Sequence, residues 1–384
     1  MLLKLSARGL RPLAAVSPAS FVGRICEQPD LPWAERETEI LLSRKPLAVL
    51  PEGFRGYLLH QEMERANCRD SYVLGPELHY LAHGDVVRIE PARRGLTTLY
   101  RRASKSNTFL LTERWDNFCV MCSQPPKADD DLWRLHELTN VIPLVSQETA
   151  EITLSGGEPA LLGDRLIALI ATMKQVLPRT AVHVLSNGRR FADAAFARSL
   201  ANAGHPDIMI GIPLYSDLAE EHDYVVQAHG AYDETIRGIL NLKRRGVLVE
   251  LRFVIHRETY ERLPSFGEFV ARNLRFVDHV ALMGLEMTGF AKTNADALWI
   301  DPIEYQSQLV EAAQTMHRAG LNVSVYNHQL CVLAPELHRF ARKSISDWKN
   351  LYLDECAECR CKDECGGFFA SSTVRRSRGI APIP

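Results

Sequence analysis

Nine cysteines are the residues of this 384-residue chain whose spacing first suggests chemistry. An odd number of thiols and no secretion signal argue against a disulfide framework. Thiolates that cluster in a reducing compartment usually hold zinc or iron–sulfur centres. Six of the nine fall into two tight groups, which are Cys119 and Cys122, then Cys356, Cys359, Cys361 and Cys365.

The first pair follows an apolar segment that predicts a strand ending at Thr112. In parallel α/β barrels the loops after the strand carboxyl ends build the active site, so a Cys-x-x-Cys pair there is well placed to bind a metal or a cluster. Cys119 and Cys122 alone remain ambiguous, because zinc sites, redox thiols and iron–sulfur clusters all use this spacing.

A Gly-Gly-Glu-Pro turn, Gly156 to Pro159, ends the next predicted strand. Adjacent glycines allow a ligand to approach the backbone closely, and Glu158 offers a carboxylate to a cation such as an α-amino group. The alternative is a strand-to-helix turn with a capping glutamate, because glycine-rich turns are common. Combined with a Cys-x-x-Cys pair about one βα unit upstream, the motif is far more specific for a cofactor.

The elements that position these motifs alternate between strands and helices, which indicates a parallel sheet. We expect an α/β fold, a partial (β/α)6 TIM-like barrel, with a small β-rich N-terminal module and a cysteine-rich C-terminal segment. The expected divisions are 1–105, 106–328, 329–370 and a loosely ordered basic tail, 371–384. The strands are predicted at 108–112, 151–155, 181–186, 208–213, 247–255, 280–283 and 322–326, and the main helices at 161–177, 191–203, 232–245 and 302–319. Tyr215 and His222 follow the fourth strand, where a surface loop is the favoured interpretation over substrate contact.

The strand, cysteine loop, strand and Gly-Gly-Glu-Pro turn together resemble the radical S-adenosylmethionine (SAM) superfamily. In that family three cysteines, separated by three and then two residues, hold a [4Fe–4S] cluster whose fourth iron binds SAM. Cleavage of SAM gives a 5′-deoxyadenosyl radical that abstracts a hydrogen from the substrate. The resemblance implies that Gly157 and Glu158 contact SAM, within a motif completed by Gly156 and Pro159.

The stretches LLTERWDNFCVMCSQPP, LYLDECAEC with its following CGGFFASS, and GDVVRIE more closely resemble the C-type maturase of the His-Xaa-Ser system. This resemblance implies a radical SAM enzyme that modifies a peptide or protein with His-Xaa-Ser repeats. It also implies sister maturases and an electron donor as partners.

One position departs from the family pattern, because Trp115 stands where the first cluster cysteine is expected. The indole nitrogen is a donor only and cannot ligate iron. Asp116 is adjacent but one position out of register. We therefore expect a labile or lost cluster, and weak or no radical chemistry.

Further SAM contacts are expected at the carboxyl ends of later strands. Ser186 and Asn187 end the third strand, where an Asx turn is the alternative. Arg252 lies in an apolar strand and would reach the SAM carboxylate, or else form a buried ion pair. Met283 would pack against adenine, although methionine here is more often part of the core.

The second cysteine group predicts a closed metal site. Cys356, Cys359 and Cys365, with Cys331 upstream, supply four thiolates for a [4Fe–4S] cluster or zinc. Their charged surroundings offer little apolar burial, so ordinary core thiols are disfavoured. The pattern is similar to the twitch segment, a shortened form of the SPASM auxiliary-cluster domain, which favours iron–sulfur over zinc. Cys361 is left as an extra thiol.

Bulk properties exclude some classes of protein. A formal net charge of −2 gives no basic field for nucleic acid. No apolar run approaches the roughly 20 residues of a membrane helix. The first 26 residues have the composition of a transit peptide, but a strand followed by a loop is favoured, so we expect a cytoplasmic protein.

The alternatives to an active enzyme are a catalytically degenerate iron–sulfur protein that binds a partner, and a zinc-stabilised binding protein.

Overall fold

The computed structural model describes residues 5–63, 66–124, 127, 129–343, 351–373 and 375–384. Contacts within the chain separate two compact units. The first contains residues 1–109, 132–152 and 175–180, and the second contains 110–131, 153–174 and 181–384. The division of the chain into four parts stays a prediction.

The first unit is built on an eight-stranded sheet in the order β1-β8-β7-β3-β4-β5-β6-β2. Consecutive strands β1 and β2 lie at opposite ends of that order, where β1 pairs with β8 and β2 pairs with β6. The N-terminal segment therefore supplies the strand at each edge of this sheet. The β-rich module is confirmed, and the described part of the first 26 residues holds three strands where one strand followed by a loop was expected. The strands are β1 Ser6–Arg8, β2 Arg11–Pro12, β3 Phe21–Cys26, β4 Glu39–Ser43, β5 Gly56–Leu59, β6 Ser71–Val73, β7 Val86–Glu90 and β8 Gly95–Tyr100.

The second sheet has seven strands in sequential order, β9 to β15. The pairs from β11 to β15 are parallel. Because helices cover parallel sheets, such strands read as nearly continuous apolar runs, which is why the sequence located them. The α/β class with a partial barrel is confirmed. The strands are β9 Asn107–Thr112, β10 Glu151–Gly156, β11 Ala181–Leu185, β12 Ile208–Pro213, β13 Leu248–Ile255, β14 His279–Gly284 and β15 Val323–Tyr326.

Helices alternate with these strands and bury one face each. In α3 the buried residues Phe196, Ala197 and Leu200 keep the helical period, and Gly204 ends the helix in the left-handed region with φ +67°. None of the helices in the described part of the chain is long and apolar enough to cross a membrane. The helices are α1 Trp133–Val141, α2 Asp164–Val176, α3 Ala194–Ala203, α4 Ala219–Val226, α5 Ala231–Lys243, α6 Leu263–Asn273, α7 Gly289–Thr293, α8 Ala295–Leu298 and α9 Gln306–Arg318.

The expectation of a loosely ordered tail is wrong for residues 375–384. The hydroxyl of Ser377 and the backbone N–H of Arg378 both donate to the buried carboxylate of Asp301. Further along, the N–H of Arg360 donates to the carbonyl of Ile383 at 3.0 Å. The tail is tied down because its backbone and hydroxyl groups satisfy buried acceptors, which composition alone does not reveal.

Candidate metal and cofactor sites

The loop that carries Cys119 and Cys122 follows β9 and is fixed on one side by the end of α4. The N–H groups of Phe118 and Val120 donate to carbonyls of Val226 and Val225, each at 3.0 Å. Within the loop the N–H of Cys122 donates to the carbonyl of Cys119 at 3.0 Å. The two thiols therefore stand on a single turn.

The start of α7 fixes the other side of the same loop. The N–H of Phe290 donates to the carbonyl of Cys122 at 2.8 Å, and Nδ2 of Asn294 donates to the carbonyl of Val120 at 2.8 Å. A Cβ atom at Gly289 would lie 2.4 Å from the Cys122 carbonyl oxygen. Only glycine allows this approach, so the loop is held between two helices.

Both thiols of the loop resist ionisation. Burial raises the pKa of Cys119 to about 12, and the charge of Cys122 adds to the effect. Burial also raises the pKa of Cys122. Thiolate is the form that binds metal, so these groups need a bound cation to become ligands. Trp115, half-buried at the start of the loop, offers no acceptor atom. The donor set of the loop therefore does not fit a three-cysteine cluster.

The Gly-Gly-Glu-Pro turn packs against the chain that enters this loop. The N–H of Gly157 donates to the Thr112 carbonyl at 2.7 Å, and the N–H of Glu158 donates to the Arg114 carbonyl at 2.8 Å. A Cβ atom at Gly156 would lie 2.3 Å from the Thr112 oxygen, and one at Gly157 would lie 1.9 Å from the Arg114 oxygen. Glycine is required here by the protein's own backbone, whereas the sequence suggested approach by a ligand.

The carboxylate of Glu158 is only 1% exposed and accepts three hydrogen bonds from its own chain. Its Oε1 accepts from Ser186 Oγ at 2.7 Å and from the Ala160 N–H at 2.9 Å. Its Oε2 accepts from the Asn187 N–H at 2.6 Å. Burial raises the pKa of Glu158 to about 7, against the lowering effect of these donors. The capping role is confirmed, and contact with a ligand cation stays a prediction.

Asn187 connects the turn to the cysteine loop. Its Nδ2 donates to Asp116 Oδ1 at 2.6 Å, and its Oδ1 accepts from the Arg189 N–H at 3.0 Å. The second bond is an Asx turn, the alternative that the sequence left open. Nη1 of Arg189 then donates to the Asp116 carbonyl at 2.8 Å and to Asn117 Oδ1 at 2.7 Å. Arg189 was not predicted as a site residue, although it lies only two positions after Asn187.

Arg252 forms the ion pair that was the alternative to SAM binding. Its Nη1 lies 2.5 Å from Glu250 Oε1, and its Nη2 lies 3.3 Å from Met283 Sδ. Glu250 Oε2 is 2.6 Å from His279 Nδ1, and His279 Nε2 is 2.9 Å from Ser324 Oγ. Although burial opposes ionisation, the His279 hydrogen bond and the Arg252 charge lower the pKa of Glu250 to about 2. Residues i and i+2 of a strand lie on the same face, so the sequence already placed Glu250 beside Arg252. This signal for the ion pair was missed.

The expectation that Tyr215 and His222 lie in a surface loop is wrong. Tyr215 is 7% exposed and His222 is 1% exposed, and their rings stack with centroids 5.9 Å apart. The Tyr215 N–H donates to Nδ1 of His222 at 3.2 Å. Burial raises the pKa of Tyr215, followed by the charge of Cys119. The pair therefore forms part of the wall behind the cysteine loop.

The four remaining predicted ligands share one cavity. Cys331, Cys356, Cys359 and Cys365 line one cavity, and Cys361 does not line it. The N–H groups of Leu330 and Gly367 point at Cys365 Sγ from 3.4 and 3.5 Å. Among the described residues no three histidine, cysteine or carboxylate side chains converge as a metal site. The four thiols are the donor set that this cavity offers to a metal or a cluster.

Comparisons with known proteins address the central part of the chain. Residues 114–270 match the family model described as Radical SAM superfamily. The chain is 27% identical over 171 residues to Fe-coproporphyrin III synthase of Methanosarcina barkeri, covering 42% of this chain and 39% of the relative. It is 32% identical over 114 residues to pre-heme d1 synthase of Dinoroseobacter shibae, covering 30% of this chain and 26% of the relative. The chain thus matches less than half the length of either curated relative.

Among solved structures, Streptococcus suis SuiB bound to S-adenosylmethionine superposes with a TM-score of 0.47 and 16% sequence identity, covering 61% of this chain and 53% of SuiB. The family match begins at Arg114, where the cysteine loop starts, and includes the glycine turn, Asn187 and Arg252. Residues 114–270 are therefore similar to the radical SAM superfamily.

Proposed function

We propose that the protein is a radical SAM peptide maturase whose radical chemistry is impaired by Trp115. The substrate class is a peptide or protein with His-Xaa-Ser repeats, with sister maturases and an electron donor as partners. This class follows from the resemblance of the cysteine-loop and C-terminal motifs to the C-type maturase. In that family the cluster with bound SAM supplies the 5′-deoxyadenosyl radical.

The observation that supports this proposal most strongly is the direct contact between the cysteine loop and the glycine turn. Two backbone hydrogen bonds join the loop entry to Gly157 and Glu158, and Asn187 bonds both Glu158 and Asp116. Three separate strand ends therefore meet at one edge of the sheet, where α/β barrels place their ligands. Cys119 and Cys122 are the proposed cluster ligands.

The proposed SAM contacts divide into two groups. Around the turn, the carboxylate of Glu158 is occupied by internal donors, so the backbone of residues 156–159 is the part proposed to meet the ligand, beside Ser186 and Asn187. Deeper in the sheet, Glu250 holds Arg252, which reaches Met283. A guanidinium held this way presents its remaining N–H donors to a carboxylate.

For the C-terminal cysteines we propose an auxiliary [4Fe–4S] cluster. In such a cluster each thiolate binds a different iron, so the sulfur atoms stand further apart than they do around one tetrahedral zinc ion. Four sulfur atoms lining one cavity support a shared metal site, and the resemblance to the twitch segment favours iron–sulfur over zinc. Its chemistry would be electron transfer or substrate anchoring.

A second candidate function is a catalytically degenerate protein that keeps the fold and the auxiliary site and binds a peptide or a sister enzyme. Trp115 is the observation that favours it, because it leaves the loop with two thiols. Comparison of the wild type with Trp115→Cys separates the two. Trp115→Phe is the matched control, since it keeps an aromatic ring and adds no ligand.

The test is anaerobic reconstitution with iron and sulfide, followed by iron counting and electron paramagnetic resonance with and without SAM. Trp115→Cys should gain roughly four irons per chain over the wild type, as one added [4Fe–4S] cluster requires. It should also form 5′-deoxyadenosine from SAM and change the mass of a His-Xaa-Ser repeat peptide. Unchanged iron content in Trp115→Cys would contradict the assigned loop, and a full SAM-responsive signal in the wild type would contradict the impairment.

A further inference from the structure

The four-cysteine cavity is completed by a short segment from the end of the sequence. Ala381, Pro382 and Ile383 form part of its wall. The N–H of Ile383 lies 3.4 Å from Cys359 Sγ. The segment thus directs a backbone N–H at one of the four sulfur atoms.

The same segment is tied to the cysteine chain in the other direction. The N–H of Arg360 donates to the carbonyl of Ile383 at 3.0 Å. Ile383 therefore donates a hydrogen bond to Cys359 and accepts one from Arg360, the residue that follows Cys359. This reciprocal pair fixes the position of the Ile383 N–H relative to the sulfur, which a single long contact would not do.

A second anchor lies outside the cavity. Asp301 is 3% exposed, and its carboxylate accepts from the hydroxyl of Ser377 and from the Arg378 N–H, the latter at 3.0 Å. The N–H of Gly379 donates to Ser377 Oγ at 3.0 Å. A buried carboxylate left without these donors would cost free energy, so the anchor holds the segment in place.

We propose that residues 377–383, here named the strap, are a working part of the cysteine site. The strap forms one wall of the cavity and directs the backbone N–H of Ile383 at the sulfur of Cys359. This inference rests on the proposed metal site at the four cysteines. Hydrogen bonds to ligand sulfur and solvent exposure both set a cluster's reduction potential, and partners outside the ligand set govern how tightly a metal is held.

Ile383→Pro is the sharpest perturbation, because proline lacks the N–H that reaches Cys359. Ile383→Ala is its matched control, since it shortens the side chain and keeps the N–H. On protein reconstituted with iron and sulfide, Ile383→Pro should lose iron to a ferrous chelator about 10-fold to 100-fold faster than the wild type. Its reduction potential should shift to a more negative value, and Ile383→Ala should remain close to the wild type in both measurements.

Ser377→Ala tests the strap without touching the cavity, and it guards against a proline variant that fails to fold. It should accelerate iron release in the same direction, by a smaller factor. Equal rates of iron release in the wild type, Ile383→Pro and Ser377→Ala would overturn the proposed role of the strap.

Failure of the proposed metal site has a different signature. If Cys359→Ser binds as much iron and zinc as the wild type, the auxiliary site is wrong. The strap is then judged on metal-free protein by the rate at which iodoacetamide alkylates Cys359. Alkylation several-fold faster in Ile383→Pro than in Ile383→Ala supports the strap, and equal rates overturn it.

Discussion

Replacing Gly157 with alanine tests whether the glycine turn is shaped to receive the backbone of the cysteine loop. The added Cβ atom would lie 1.9 Å from the Arg114 carbonyl oxygen and 2.7 Å from its carbon. Ordinary contact between such atoms begins near 3.5 Å, so the two segments must separate by roughly 1.5 Å. Because the opposing atoms belong to the backbone, no side-chain rotation relieves the clash.

The energetic consequence follows from the two hydrogen bonds that span this contact. The distances from Gly157 N to Thr112 O and from Glu158 N to Arg114 O are 2.7 and 2.8 Å, and such a separation takes both beyond hydrogen-bonding range. Each of the two backbone N–H groups left without a partner costs about 1–3 kcal/mol. The variant should therefore lose about 2–6 kcal/mol of unfolding free energy, a large share of the roughly 5–15 kcal/mol of a typical protein.

Urea unfolding of the metal-free protein, followed by circular dichroism, measures this loss. Gly246→Ala is the control, because Gly246 has φ +76° and nothing within 4 Å of its added Cβ atom. It should cost only the left-handed backbone penalty of about 1–2 kcal/mol. A Gly157→Ala protein within about 0.5 kcal/mol of the wild type would refute the close approach of these segments.

The remaining predictions concern ionisation and ligand choice. Because the pKa of Glu158 is raised from 4.5 to about 7 in the folded state, folding favours its protonated form, and the wild type should lose about 3 kcal/mol as pH rises through that window. Glu158→Gln should lack this component, so unfolding curves across pH 4–8 that run parallel in the two proteins would contradict it. Cys361→Ser should keep the iron content of the wild type, because Cys361 does not line the cavity, whereas Cys359→Ser should lower it. Equal losses of iron in both serine variants would show that the ligand set is wrong.

The sequence by itself located the elements of the barrel and the segments that carry the cysteines. Strand β12, for example, has the predicted bounds Ile208–Pro213, because a strand buried on both faces is an uninterrupted apolar run. The spacing of Cys119 and Cys122 after β9 likewise follows from local order along the chain. Such features depend on neighbours within a few residues, which the sequence displays directly.

Only the tertiary structure decided what these residues bond to. It showed that the carboxylate oxygens of Glu158 accept hydrogen bonds from Ser186, Ala160 and Asn187. It also placed Ile383 beside Cys359, 24 positions away. Composition marked that last segment as a loose tail, because its ordering comes from distant acceptors such as Asp301. Hydrogen bonds between residues far apart in the chain depend on how strands and loops come together in space, and no local pattern records that arrangement.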